Sequence, residues 1–203
     1  MIDVEGIMRL HANTVATWHS QPIANEYDGF MGLVCQQHIY NFELWHQEDI
    51  ARSRDVGDTQ IAEVKRRIDK FNQQRNDAIE KLDDAISAML LDAQVVAKPT
   101  ARQNTETPGS AIDRLSIMAL RLYHYEEQVE RADVDASHLE RVGQRIQMCR
   151  EQQRDLSQGL GELLADLFAG EKRHKTYRQM KMYNDASLNP FLYKPKTAAA
   201  AAD

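Results

Sequence analysis

Several polar residues fall where a helix should be apolar, and their types could do chemistry there. On a helical wheel of residues 29–54, the stripe through Phe30, Val34, Phe42 and Trp45 also carries His38, Asn41, Glu48, Asp49 and Arg52. In the following helical stretch the row Ile68, Phe71, Ile79, Leu82 has Arg75 in its middle, and further on Gln153 sits between Cys149 and Leu156. A charge buried without a partner costs several kcal/mol even after relaxation. These residues must therefore pair with one another, hold water, or line a cavity open to a ligand. Arg75, with Arg52 as companion, offers a planar fork of donors that matches a carboxylate or phosphate. Glu48 or Asp49 could act as a base or hydroxyl anchor, and His38 could move a proton near neutral pH.

On this reading His38, Glu48 and Asp49 are the catalytic candidates. Asn41, Arg52, Arg75 and Gln153 are ligand contacts, joined by Asp113, Arg114 and His124 from residues 110–131. The competing reading is a fully paired internal network that sets helix register, in which a core histidine is simply hydrogen-bonded.

The elements that must position these groups are helices. Glycine and proline are scarce, and Pro22, Pro99, Pro108, Pro190 and Pro195 all lie outside the periodic stretches. A short helix is expected over 3–19, stopping before Gln21-Pro22, and a long one over 29–54. Asp58 reads as the cap of a third helix running to 94, with Ile61, Val64, Ile68, Phe71, Ile79, Leu82, Ile86 and Leu90 along one face. Residues 95–109 are the main surface loop, able to move. Ser110, with Asp113 three residues on, reads as the cap of a helix reaching 131. Leu139, Val142, Ile146, Cys149, Leu156, Leu160, Leu163 and Leu167 mark a helix over 137–168, interrupted at Gly170. A last, shorter helix is expected over 171–184. The fold class is thus all-α: an antiparallel bundle of four long helices with short helices at both ends, one domain over 1–193, and a disordered alanine-rich tail over 194–203. Such long regular stripes could also bury a homodimer seam.

Composition narrows the functions. The 203 residues are 28% charged and 42% hydrophobic, in the range for an ordinary globular chain with a core. A net charge of -6 provides no positive field for a nucleic-acid backbone. No secretory leader or apolar run of spanning length is present, so a cytoplasmic location is expected. Cys35 and Cys149 read as separate reduced core thiols. Glu43-Leu44-Trp45-His46 and Glu171-Lys172-Arg173-His174 share the Glu-x-x-His spacing of di-metal bundles. Glu43, however, lies well off its helix's seam and the second copy is in a basic stretch, so no metal ligands are assigned, and no cofactor can be named. Glycine-rich phosphate loops, His-Glu-x-x-His and Gly-x-Ser-x-Gly are absent.

Taken together, several segments resemble a bacterial all-helical family catalogued as a domain of unknown function. They include Asn41-Phe42-Glu43-Leu44-Trp45-His46-Gln47-Glu48-Asp49, Asn72-Gln73 with Arg75-Asn76-Asp77, Glu106-Thr107-Pro108-Gly109, and Tyr177-Arg178-Gln179-Met180-Lys181. The resemblance spans about residues 30–193. It implies a surface-glycan context, because members of that family are encoded beside glycosyltransferases of lipopolysaccharide assembly, and it carries over no catalytic residues. Two of its segments gain interest. Glu106–Gly109 leads into a helix N-terminus, whose N–H groups favour an anion. Arg178 and Lys181 could close over a phosphorylated ligand, unless that segment merely docks with its cations in water. Two functions are therefore expected. One is the binding or turnover of a small anionic metabolite, a sugar phosphate or nucleotide sugar; the other is a non-enzymatic adaptor for a glycosyltransferase.

Overall fold

The structure, a computed structural model describing residues 2–182 and 185–193, is built almost entirely of helix. In chain order the elements are α1 (Val4–Trp18), α2 (Gly29–Arg52), α3 (Asp58–Asp92), β1 (Arg102–Gln103), α4 (Pro108–Val129), α5 (Ala136–Phe168), β2 (Lys172–Arg173) and α6 (Pro190–Tyr193). The all-α expectation holds, and the four long helices lie close to their expected bounds. No helix among the described residues is long and apolar enough to cross a membrane. The tail over 194–203 lies outside the described residues.

Local chemistry explains the ends. Asp3 caps α1 by accepting from the Gly6 amide at 2.9 Å, and Asp135 caps α5 by accepting from His138 at 2.7 Å. Two expected caps shift. Gly57 takes the cap position of α3, with Asp58 its first helical residue. Thr107, not Ser110, caps α4, its hydroxyl accepting from the Ser110 amide, while Pro108 fills the first helical position where no N–H is needed. Asp113 is consequently not a cap residue but lies a turn and a half into the helix.

One large core joins α1 to α5 through Ile7, Leu10, Val34, Leu82, Ile86, Ile112, Leu115 and Leu160. A second cluster, Met118, Leu122, Val142, Ile146 and Cys149, lies between α4 and α5, and a third, Leu44, Val64 and Ile68, between α2 and α3. Thus α4 is the central element, while α5 packs mainly on α4 and α1. Both cysteines are buried and unpaired. Burial, with Glu26 nearby, pushes the Cys35 thiol up to about 11, so it stays protonated.

The helix expected over 171–184 does not form over 171–182, the part of it among the described residues. Gly170, at φ +70°, ends α5, and the chain leaves extended. Lys172–Arg173 pairs in parallel with Arg102–Gln103, and Lys98 is held by the Gly170 carbonyl and the Glu171 carboxylate. The 95–109 loop is therefore tied down at its centre. Beyond β2 the chain runs along α3 as a strap: His174 Nε2 donates to the Asp83 carbonyl at 2.9 Å, Thr176 reaches Asp84, and Arg178 bonds Glu80 and Asp84 at 3.1 and 2.8 Å. Arg178, which would have faced water on a helix, thus meets acidic partners from an extended backbone.

Candidate functional site

The polar rows of α2 and α4 face each other, and α3 closes on them from the side. Gln37 and Asn41 both donate to Asp113 Oδ1, at 2.6 and 2.9 Å, and Asn41 also reaches Ser116 Oγ at 2.8 Å. His38 Nδ1 meets the same hydroxyl at 2.6 Å. All five side chains are buried. From α3, Arg75 Nε stands 3.9 Å from Asp113 Oδ1, too far for a hydrogen bond. Burial pushes the Asp113 carboxyl up, while the Arg75 charge and the Asn41 amide pull it back.

Above this network lies a surface groove of about 470 Å³ lined by Asn41, Leu44, Trp45, Glu48, Asp49, Arg52, Arg75, Ile117 and Leu120. Five sequence-derived candidates therefore converge: Asn41, Glu48, Asp49, Arg52 and Arg75. They do so partly in the open, although the helical wheel places them on the apolar stripe. Asp49 and Arg52 are exposed and Glu48 half-buried. Arg52 pairs with Glu48 at 3.0 Å on that open side. Arg75 is half-buried, and its Nε is shielded from solvent without a hydrogen-bond partner.

The other candidates lie elsewhere. His38 is fully buried and does not line the groove. Burial pushes its imidazole down to about 3, only partly opposed by the His11 backbone, so the ring is neutral where a proton shuttle would need to titrate. Arg114 points outward to Glu106 and lines a different groove with Gln152 and Asp155. Gln153 is half-buried on α5, whose main partners exclude α2 and α3, so it cannot join the α2 row. Arg178 is held in the strap by Glu80 and Asp84, and Lys181 follows it there, away from the groove lining. The N-terminus of α4 does receive an anion, but an internal one: the Gly109 amide donates to the buried Asp83 carboxylate at 2.7 Å. Burial pushes the Asp83 carboxyl up, opposed by hydrogen bonds at Thr107 and Gly109.

His124 stacks on Trp45, rings 4.9 Å apart and 8° from parallel, and so stands just behind the groove wall. Around it gather His19 and His46. Neither full Glu-x-x-His motif acts as a unit: His46 joins this cluster without Glu43, and Glu171 and His174 are spent on Lys98 and the Asp83 carbonyl. Gln37, Ser116 and His19 were not singled out from sequence. A row of Asp113, Ser116, Leu120 and His124 at three- and four-residue steps on α4 was the signal for Ser116; His19, just past the end of α1, gave none.

A family model described as a protein of unknown function (DUF4254) matches residues 31–176. That span contains the groove, its supporting network and the start of the strap. No curated protein and no solved structure matches.

Proposed function

The chain belongs to the DUF4254 family, a membership that specifies no reaction, and we propose from the groove itself that the protein binds a small anionic metabolite there, a sugar phosphate or nucleotide sugar. The observation that carries this reading is Arg75. Its guanidinium lines the groove with Nε shielded from water, no hydrogen-bond partner for that atom, and its one carboxylate neighbour 3.9 Å away. The phosphate of a ligand entering the groove supplies acceptor oxygens for this under-bonded guanidinium.

The rest of the lining suits the remainder of such a ligand. Trp45, Leu44, Ile117 and Leu120 give an apolar wall for a ring. Asn41, Glu48 and Asp49 offer amide and carboxylate partners for hydroxyls. Arg52 is held to Glu48 only in a solvent-exposed pair, which is readily exchanged for a ligand. If the protein catalyses a reaction, Glu48 or Asp49 is its base, since His38 stays neutral and out of reach.

A thermal-shift titration with sugar phosphates, nucleotide sugars and inorganic phosphate tests this. A ligand at a hundred times its Kd adds about 2.7 kcal/mol to stability and raises Tm accordingly. Arg75→Met should leave the unliganded Tm equal or higher, because removing an underpaired buried charge relieves desolvation, and should abolish the shift. A large fall in Tm would make Arg75 structural and end the proposal. The second reading, an adaptor for a glycosyltransferase in a surface-glycan context, draws on one observation: Leu188, Phe191, Leu192 and Tyr193 are all exposed at the described C-terminal end, Phe191 at 92%. Ligand silence combined with loss of partner binding in a Phe191→Asp variant would favour it.

A further inference from the structure

Five of the chain's seven histidines lie in one run of ring contacts, and they divide into two kinds. His11 and His38 pack in the core with ring centroids 4.6 Å apart and planes tilted by 39°. His19, His46 and His124 form a separate group in which one ring nitrogen of each lies within 4.8 Å of the others. They come from three different places in the chain: just past the end of α1, the later half of α2, and the later half of α4.

The hydrogen bonds around this group determine its proton positions. His19 Nδ1 lies 2.7 Å from the Val15 carbonyl, His46 Nδ1 2.8 Å from the Phe42 carbonyl, and His124 Nδ1 2.7 Å from Glu127 Oε2. A carbonyl or carboxylate oxygen can only accept, so each Nδ1 carries a hydrogen and donates it. In a neutral ring the lone pair is then on Nε2. His19 Nε2 and His124 Nε2 are shielded from solvent and have no hydrogen-bond partner. Bare lone pairs gathered in one small space repel, and a shared Lewis acid converts that repulsion into bonding.

We propose that His19, His46 and His124 bind one divalent transition-metal ion of the zinc type through Nε2. A point exists within about 2.8 Å of three atoms that are 4.8 Å apart or less, against about 2.0–2.1 Å for a zinc–imidazole bond, so small ring rotations complete the geometry. Three histidines leave a fourth position open to water or a substrate atom. The surroundings are those of a built site. Each ligand's Nδ1–H is held by a carbonyl or carboxylate, the arrangement that orients ligating histidines and raises their basicity. Tyr123 stacks on His19 at 4.1 Å, Trp45 stacks on His124, and Phe42 packs against both His19 and His46. Because Trp45 also lines the groove, the ion would sit directly behind the wall of the proposed ligand site.

The test uses the full chain stripped with a chelator and titrated with Zn2+ and with Co2+ alone. Calorimetry should give one ion per chain, and Co2+ should develop the visible absorption of a low-coordinate nitrogen-ligated ion. His46→Gln removes one ligand, and His124→Phe removes another while keeping a ring to stack on Trp45; both should abolish binding with Tm of the metal-free protein retained. Glu127→Gln should weaken binding roughly ten- to a hundredfold by loosening His124. Arg75→Met should bind metal normally, so failure here and failure of the groove reading are separable. Absence of a Co2+ spectrum, or a spectrum unchanged in both histidine variants, would overturn the proposal and leave the cluster a stacked packing device.

Discussion

His38 illustrates what burial does to a single side chain and what that does to the protein. Its ring is wholly enclosed, in tilted contact with His11 and Trp18, with Nδ1 on the Ser116 hydroxyl. Its pKa falls to about 3 from the ordinary 6.5, and burial and the nearby His38 lower that of His11 as well. A lowered histidine pKa means the folded state binds the proton less readily than the unfolded state. Its stabilising effect is complete above pH 6.5 and drains away as pH falls toward 3. Between pH 6.5 and 4.5 the His38 linkage alone removes about 2 kcal/mol of unfolding free energy. Asp83 and Asp113, whose pKa values are raised, act in the opposite direction, so the comparison must be made against a variant. Urea denaturation at the two pH values should show a much flatter dependence for His38→Gln than for the unmodified chain; equal slopes would mean the ring titrates in the folded state. The burial of His38 and Asn41 was legible from the phase of the α2 stripe. Their partners were not, because a wheel reports direction and not what stands opposite. Nor does it report depth: Asp49 and Arg52 share the stripe's direction yet lie in solvent.

Among the elements, α4 depends most on close approach. Its N-terminus abuts α3 so tightly that a Cβ on Gly109 would stand 2.7 Å from the Ile79 carbonyl and 2.8 Å from Asp83 Oδ1. The first is backbone and the second is held by the Gly109 amide, so Gly109→Ala must push two helices apart or break the Asp83 hydrogen bond, at a cost of about 1–3 kcal/mol. Gly143, in the first half of α5, has nothing within 4 Å of an added Cβ. Gly143→Ala should therefore stabilise by about 0.5–1 kcal/mol through helix propensity. Calorimetric Tm values moving in opposite directions would check both; a neutral Gly109→Ala would show that the α3–α4 approach is looser than it stands here. The long helices themselves were readable because their apolar residues keep three- and four-residue steps over many turns. The 171–184 stretch misled because Tyr177, Met180 and its cations have helical spacing, while the residues that decide its conformation, Glu80, Asp83 and Asp84, lie about ninety positions earlier in sequence.

At the scale of the whole molecule, the segment from β2 to Gln179 fastens two distant parts of the chain. It pairs with the 95–109 loop on one side and lies along α3 on the other, where the Gln179 amide bonds Glu80 at 2.9 Å and its side chain bonds Asn76 at 3.3 Å. These contacts are polar and mostly solvent-exposed, whereas the helices are joined by the apolar core, so the two should open independently. Glu80→Gln with Asp84→Asn removes the carboxylates that hold Arg178 and leaves every basic residue of the strap in place. Trypsin cleavage at Lys172, Arg173, Lys175, Arg178 and Lys181 should then accelerate, with Tm scarcely changed. High salt should produce part of the same effect on the unmodified chain, because it screens exposed pairs. If instead cleavage and Tm change together, the strap is a cooperative part of the fold. The groove is formed by α2, α3 and α4 without the strap, so strap release should leave the Arg75-dependent ligand response intact.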